Sequence, residues 1–341
     1  MKCLSYGLFS RGYREEVVSG YGFTGDAIQG GGIYSAGPLK GERWSLSTFE
    51  ISGQGLGASA IRDGLDWGYA MWNPESDLGD VETWELFQGG IPYLSRKVKP
   101  NTAGHGKYRG GANYAGVAMI MHSKDVDFFG ARDGLAFHGA GGMHGGYPHA
   151  TGYRLLAKNT NMKEIIANQQ KYPLADWDPM NGEFEKFLKA DIIRKKHCSI
   201  YPVTLKNYDL IHFSLSGGPG YGDPLERKLE RVKNDLDAEI YTIDLVSRIY
   251  GVIASYNNKK EEWKIDEEAT RIKREEIREK RKKETMDFEE FYERERKKIT
   301  ERKLSEHVVR MYNESLELSE NWANEFKNFW KLPNDFKMEV K

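Results

Sequence analysis

YDLIHFSLSGGPGYGDPLER, Tyr208 to Arg227, passes from a strand pattern through a glycine turn into the start of a helix. Ile211, Phe213 and Leu215 alternate with polar or smaller neighbours, so Tyr208 to Leu215 is expected to be a half-buried strand. Asp223 and Pro224 are well placed as helix cap and first helical residue, and a helix is expected from about Pro224 to Tyr250, carrying Leu229, Val232, Leu236, Ile240, Ile243 and Val246 at mostly helical spacing. Such a turn can aim backbone N–H groups at an anion, which makes Gly218, Gly220, Tyr221, Gly222 and Asp223 candidate anion- or substrate-binding residues. The spacing Gly218-x-Gly220-x-Gly222 is no dinucleotide fingerprint, and no phosphate-loop lysine follows. A structural tight turn is the competing reading.

Outward from this turn, glycine divides the chain. It is dense from Gly7 to Gly152, returns at Gly217 to Gly222, and is absent after Gly251. Dense glycine favours turns and close backbone approach over long helices. Trp44 to Ile51 and Gly116 to His122 read as further strands, and Met162 to Gln170 as a helix. From Asn257 to Met311 the composition is that of a charged helix former with a sparse apolar stripe of Ile265, Ala269, Ile272 and Ile277. A richer stripe follows, through Leu304, Val308, Met311, Tyr312 and Leu316 to Trp322, Phe326, Phe329 and Trp330, before Pro333. The expected fold class is mixed α+β: a Gly-rich strand and loop domain over 1–255, then a charged amphipathic helical extension over 256–341 that ends in an aromatic stripe and reads as an extended arm. That stripe needs a cover, either the glycine-rich domain or another subunit.

With 50 Lys+Arg against 51 Asp+Glu among 341 residues, no net field draws the molecule to nucleic acid or to an acidic membrane. Cys3 and Cys198 have no metal or redox spacing, and no export signal or membrane span is legible, so the expected location is the cytoplasm. A second glycine cluster, Asn101 to Ala112, holds Lys107 and Arg109 beside Gly110 and Gly111, where a pliant backbone can bring both cations to a carboxylate or phosphate; an ordinary basic loop is the alternative. Five of the eight histidines lie between His105 and His149. His138, His144 and His149 share one loop and are weak metal candidates, because no partner stands at a metal-site interval. Asp63, Asp66, Glu75, Asp77, Asp80, Glu82 and Glu85 could bind metal or move protons, but read better as caps and exposed turns. No nucleophile elbow or cysteine–histidine pair is visible, which disfavours a self-contained hydrolase.

SGGPGYGDPLER and LVSRIYGVIAS (Leu245 to Ser255) resemble the C-terminal signature of the hydantoinase B and oxoprolinase family. GLDWGYAMWNPESDLGDVETWEL (Gly64 to Leu86), RKVKPNTAGHGKYRGGAN (Arg96 to Asn113) and GGYPHATGYR (Gly145 to Arg154) are more similar to its acetone carboxylase branch than to the hydantoinases. The resemblance extends over nearly the whole chain and implies the C-terminal half of a large subunit. What it implies chemically is biotin-independent, ATP-dependent carboxylation of a ketone with bicarbonate to a β-keto acid. The alternatives are an ATP-dependent hydantoinase or 5-oxoprolinase subunit, and a non-catalytic scaffold. The resemblance further implies a hydantoinase A-like partner binding ATP and Mg, a small additional subunit, and a divalent metal, manganese in the acetone enzymes. The family's N-terminal half, whose His-x-x-Asp motif is thought to hold that metal, has no counterpart in this sequence, so a separate chain supplying it, or a fragment, is expected.

Overall fold

The computed structural model describes residues 26–49, 55–67, 91–132, 140–175, 177, 181–195, 199–214, 216–301, 304–336 and 338. The chain forms two compact units, Met1–Arg274 and Glu275–Lys341. The composition boundary at 255 lies inside a strand of the first unit.

The first unit is built on two antiparallel sheets. Strands β1 (Asp26–Tyr34), β2 (Arg43–Phe49), β3 (Tyr93–Lys99), β4 (Asn113–Met119), β5 (Ser123–Arg132), β6 (Tyr153–Lys158), β7 (Asp191–Lys195), β8 (Ser199–Leu205) and β9 (Leu210–Ser214) form a four-stranded sheet ordered β2-β1-β5-β8 and a five-stranded sheet ordered β3-β4-β9-β6-β7. Side chains alternate across a pleated strand, so each strand of the second sheet serves two cores. Tyr114, Ala118, Leu156, Ile211 and Phe213 face the first sheet and meet its Trp44, Val126 and Leu205. Ala115, Val117, Met119, Leu155 and Leu210 face the other way, onto Met162 and Ile165 of helix α1 (Met162–Ala167) and Phe184 of α2 (Glu183–Phe187).

This layering corrects one expectation. The strand after Tyr208 is fully buried, not half-buried, because β9 lies between β4 and β6 with a core on each face. Its polar alternates, His212 and Ser214, are buried too. Tyr153 Oη lies 2.8 Å from His212 Nε2, and Ser214 accepts a 2.8 Å hydrogen bond from Asn113 Nδ2.

The single helix expected from Pro224 to Tyr250 is broken. Pro224–Glu226 is one 3-10 turn, Arg227 and Lys228 are extended, and α3 covers only Leu229–Asp237. Glu239 at φ 55° then reverses the chain, and Ile243–Leu245 leads into a π-type turn, Val246–Tyr250, closed by Gly251 at φ 60°. The breaks let Val232, Leu236, Tyr241, Val246 and Tyr250 converge on Ala103 and Ala112 of the second glycine cluster.

The continuous charged helix expected after Asn257 is interrupted as well. A hairpin, β10 (Ile253–Asn257) with β11 (Glu262–Asp266), pairs Tyr256 with Trp263 across the strands. Helices α4 (Glu267–Glu284), α5 (Phe288–Thr300), α6 (Glu306–Leu318) and α7 (Glu320–Phe329) follow. Side-chain caps mark three of the starts: Asp266 accepts from the Ala269 N–H at 2.9 Å, Asp287 from the Glu290 N–H at 2.8 Å and Ser319 from the Trp322 N–H at 3.3 Å. The second unit has its own small core of Ile299, Val309, Phe326, Leu332 and Met338, so α5, α6 and α7 pack on one another instead of running on as an arm. Of the aromatic stripe, Phe326 is buried in that core, while Trp322 and Phe329 stay exposed. Among the described residues, no helix is long and apolar enough to cross a membrane.

Candidate functional site

The two glycine clusters are one structure. Segments 55–67, 101–112, 140–150 and 216–227 interlock through their backbones. Tyr108 and Tyr221 exchange N–H···O hydrogen bonds at 3.0 and 2.9 Å, Gly104 N–H donates to Gly218 O at 2.7 Å, and Gly218 N–H donates to Gly111 O at 2.9 Å. Main chain packs on main chain so closely that a Cβ on Gly110 would stand 1.8 Å from Gly218 O, and one on Gly218 would stand 1.8 Å from Leu56 O. Only glycine permits that approach.

The interlock determines what the turn can offer a ligand. Gly110 N–H donates to Gly104 O, Gly111 to Leu56 O, Gly220 to Tyr147 O, Tyr221 to Tyr108 O and Gly222 to Met143 O. The donors expected to aim at an anion are therefore committed inside the junction. Asp223 does cap as expected, accepting from the Leu225 N–H at 2.9 Å, but the three-residue turn that it starts presents no helix end to a phosphate.

Beneath the junction lies a buried charge cluster. Arg109 donates from both terminal nitrogens to the two oxygens of Asp66, at 2.6 and 2.9 Å, and from Nε to Asp235 at 2.7 Å. Arg227 makes the matching fork to Asp63, at 2.7 and 2.9 Å, and reaches the other oxygen of Asp235 from Nε at 2.9 Å. Arg231 adds a 3.1 Å bond to Asp63. Burial opposes the charge on Arg109 and Arg227, yet the carboxylates outweigh it and raise both pKa values further. Burial likewise opposes ionisation of Asp63, but Arg227 and Arg109 prevail and hold its carboxyl below the usual range. For Asp235 burial is the larger effect and raises its pKa against the pull of the two guanidinium groups.

Arg109, expected to meet an external anion, is thus held by carboxylates of its own chain, and Lys107 pairs at the surface with Glu226 at 3.0 Å. Asp63 and Asp66, read as exposed caps, are ion-pair partners. Arg227, Arg231 and Asp235 were not singled out in the sequence. The legible signal was Asp235, a carboxylate on the buried stripe of α3 between Val232 and Leu236.

His144 and His149 have different surroundings. His149 is buried, with Nδ1 2.7 Å from Ala150 O and Nε2 3.4 Å from the Ala140 nitrogen. His144 is exposed over the Tyr221 ring, at 5.1 Å between centroids. His138 lies outside the described residues, as do Glu75, Asp77, Asp80, Glu82, Glu85, Cys3 and Cys198. Among the described residues, no group of three or more His, Cys, Asp or Glu side chains could hold a metal ion. The described residues therefore do not fit the divalent metal that the resemblance implies.

A different histidine lies at the heart of the junction. His105, between Gly104 and Gly106, packs against the rings of Tyr241, Tyr147 and Tyr250 at 5.2, 5.9 and 5.9 Å. Burial pushes its pKa down to about 4. Tyr250 Oη donates to Tyr241 Oη at 3.2 Å, and Tyr241 Oη reaches Ala103 O at 3.3 Å. Burial raises the pKa of both phenols, so Tyr241 and Tyr250 are uncharged at neutral pH.

The family model described as hydantoinase B/oxoprolinase matches residues 4–224. The chain is 35% identical to the acetone carboxylase alpha subunit of Xanthobacter autotrophicus strain Py2, over 98% of its own length and 42% of the relative's. It is 29% identical to the acetophenone carboxylase delta subunit of Aromatoleum aromaticum, over 61% of this chain and 30% of that one. Among solved structures, nucleotide-free acetone carboxylase superposes with a TM-score of 0.81 at 34% identity, covering 99% of this chain and 44% of that one. The ATP-dependent caprolactamase of Pseudomonas jessenii superposes with a TM-score of 0.52 at 17% identity, a likeness of fold alone. The chain spans less than half the length of each of these relatives.

Proposed function

The chain belongs to the hydantoinase B/oxoprolinase family, and from that premise we propose that it is a subunit, or a split half-subunit, of a biotin-independent, ATP-dependent ketone carboxylase. The observation that carries this reading is the 35% identity to an acetone carboxylase alpha subunit along 98% of the chain, charged helices included. The substrate is acetone or a similar ketone, and the product a β-keto acid.

Both reactants are inert as they stand: bicarbonate is a poor electrophile and a ketone must first be enolised. ATP on a hydantoinase A-like partner supplies the activation, with a small further subunit and a chain carrying the family's N-terminal half completing the enzyme. This chain contributes a rigid wall. Its glycine junction is held by main chain packed on main chain, and its buried cluster sets Arg109, Arg227 and Arg231 against Asp63, Asp66 and Asp235, so no net charge is left to trap bicarbonate away from the reacting centre. Positioning by a rigid surround is itself a large catalytic term.

The test is reconstitution. Purified with its partners, the complex is expected to fix labelled bicarbonate into acetone only when ATP is present, and the chain alone is expected to hydrolyse no ATP. Hydrolysis of a cyclic amide without bicarbonate would move the protein to the amidohydrolase side of the family. A complex that assembles and whose turnover is unaffected by substitutions in the two glycine loops would make it a scaffold.

A further inference from the structure

We propose that an aromatic cavity between α6 and α7 is the docking site for an arginine side chain carried by a partner subunit. The cavity measures about 560 Å³, and its described lining residues all belong to the second unit. Trp322, Phe326 and Phe329 recur at intervals of four and three on α7 and so share one face of that helix. Tyr312 meets the face from α6, with its ring centroid 5.3 Å from that of Phe326. Phe326 is buried and forms the floor, whereas Trp322 and Phe329, 38% and 58% exposed, are open to an occupant. Trp322 Nε1 donates to Ser315 Oγ at 2.7 Å, so the indole has ring surface and no donor left to offer.

Glu325 and Asn328 also line the cavity. Both are exposed, and among the described residues neither side chain has a hydrogen bond or ion pair. The cations near them in sequence are already engaged: Lys327 donates to Asn334 O at 2.5 Å, Lys331 lies 5.3 Å from the Tyr292 ring centroid, and Arg310 is paired with Glu314 at 2.9 Å. Residues 306–330 carry five carboxylates against two cations, so the field at the mouth favours a positive charge. Aromatic walls with an unpaired carboxylate discriminate among occupants. An apolar side chain would cover the rings but take Glu325 out of water with nothing to pair it. A lysine ammonium would pair with Glu325, yet it is strongly hydrated and has no flat surface for the rings. A guanidinium does both: it stacks on an aromatic face and forks its N–H groups onto a carboxylate, with Asn328 Oδ1 as a further acceptor. The cavity also has room for the chain that presents the arginine. That this chain is a partner's rests on reading the protein as a subunit; the preference for arginine does not.

The chemistry is tested on the full-length chain labelled with 15N-tryptophan, the Trp322 indole signal being assigned by its loss in Trp322→Phe. Nα-acetyl-arginine methylamide is expected to shift that signal several-fold more than the leucine analogue does. Glu325→Gln, which removes an exposed and unpaired charge, is expected to cut the arginine shift several-fold at unchanged Tm. No shift with the arginine compound, an equal shift with the leucine compound, or a shift that survives Glu325→Gln overturns the proposal. The source is tested in the complex purified with its partners, with p-benzoylphenylalanine in place of Phe329 and the photocrosslinked peptides identified by mass spectrometry. A crosslink to an arginine-bearing peptide of another subunit, weakened when that arginine is replaced by alanine, is the expected result. A crosslink to the first unit of the same chain, to a second copy or to an arginine-free peptide, or no crosslink at all, overturns the partner assignment. A chain that answers to the arginine compound but assembles with no partner upholds the chemistry of the cavity and overturns the subunit reading.

Discussion

Arg109 shows how a residue's neighbours decide its role. Two cations among glycines looked available to an outside anion, but Arg109 is 8% exposed and forked onto Asp66, while Lys107 stands in water beside Glu226. Removing one partner of a buried ion pair leaves the other charged and unsolvated, so Asp235→Ala and Arg109→Ala are each expected to cost about 3–5 kcal/mol. Lys107→Ala breaks only a surface pair and should cost about 0.5 kcal/mol or less. Urea denaturation of the three variants checks the ranking, and equal losses would refute the buried-cluster account. His105 gives a pH signature at the same scale. Its pKa is about 4 folded and 6.5 unfolded, so between those values the unfolded chain binds the extra proton. Its contribution is complete above pH 6.5 and falls away as pH drops towards 4, by about 3 kcal/mol at most. His105→Phe should flatten that part of the stability–pH curve, and an unchanged slope would place the ring in water.

Among the elements, legibility followed periodicity and failed where two elements share one role. The β9 strand was readable because Ile211 and Phe213 alternate, yet its full burial was not, since nothing within Leu210–Ser214 announces that β4 and β6 flank it and helices cover its second face. The apolar spacing from Leu229 to Val246 was real, but it belongs to two helical pieces joined at the left-handed Glu239, and spacing carries no mark of a turn that a glutamate supplies. The glycine runs were visible as turns. What could not be seen was that the Lys107 and Gly218 loops zip together, because backbone pairing between loops has no side-chain code. That pairing makes Gly218→Ala a severe test: its Cβ would press on Leu56 O and C, backbone atoms themselves fixed in the junction. The expected loss is about 4 kcal/mol or more, against about 1–2 kcal/mol for Gly37→Ala, where φ is 80° but nothing lies within 4 Å. Comparable melting temperatures for the two variants would mean that the junction yields easily.

At the scale of the whole molecule, two compact units of unequal strength should reveal themselves in how the chain comes apart. Among the described residues, Met1–Arg274 has two large sheets, a two-stranded hairpin and three sizeable clusters, whereas Glu275–Lys341 has one cluster of five buried residues and the buried Tyr292, with Phe288, Leu318, Trp322 and Phe329 exposed. A domain that small seldom holds more than about 3–5 kcal/mol. Phe326 is 3% exposed and in ring contact with Tyr312 and Trp322, and truncating a buried phenylalanine costs about 3–5 kcal/mol. Phe326→Ala should therefore consume nearly the whole stability of the second unit. Phe329→Ala, at a position 58% exposed, should cost about 1 kcal/mol. Hydrogen exchange read by mass spectrometry separates the units without fragmenting the chain. In Phe326→Ala the peptides of α5, α6 and α7 should exchange as open chain while those of β4 and β9 keep their protection. Loss of protection in β4 and β9 as well would show that the two units fold as one, and the division at Arg274 would then be geometric and not energetic.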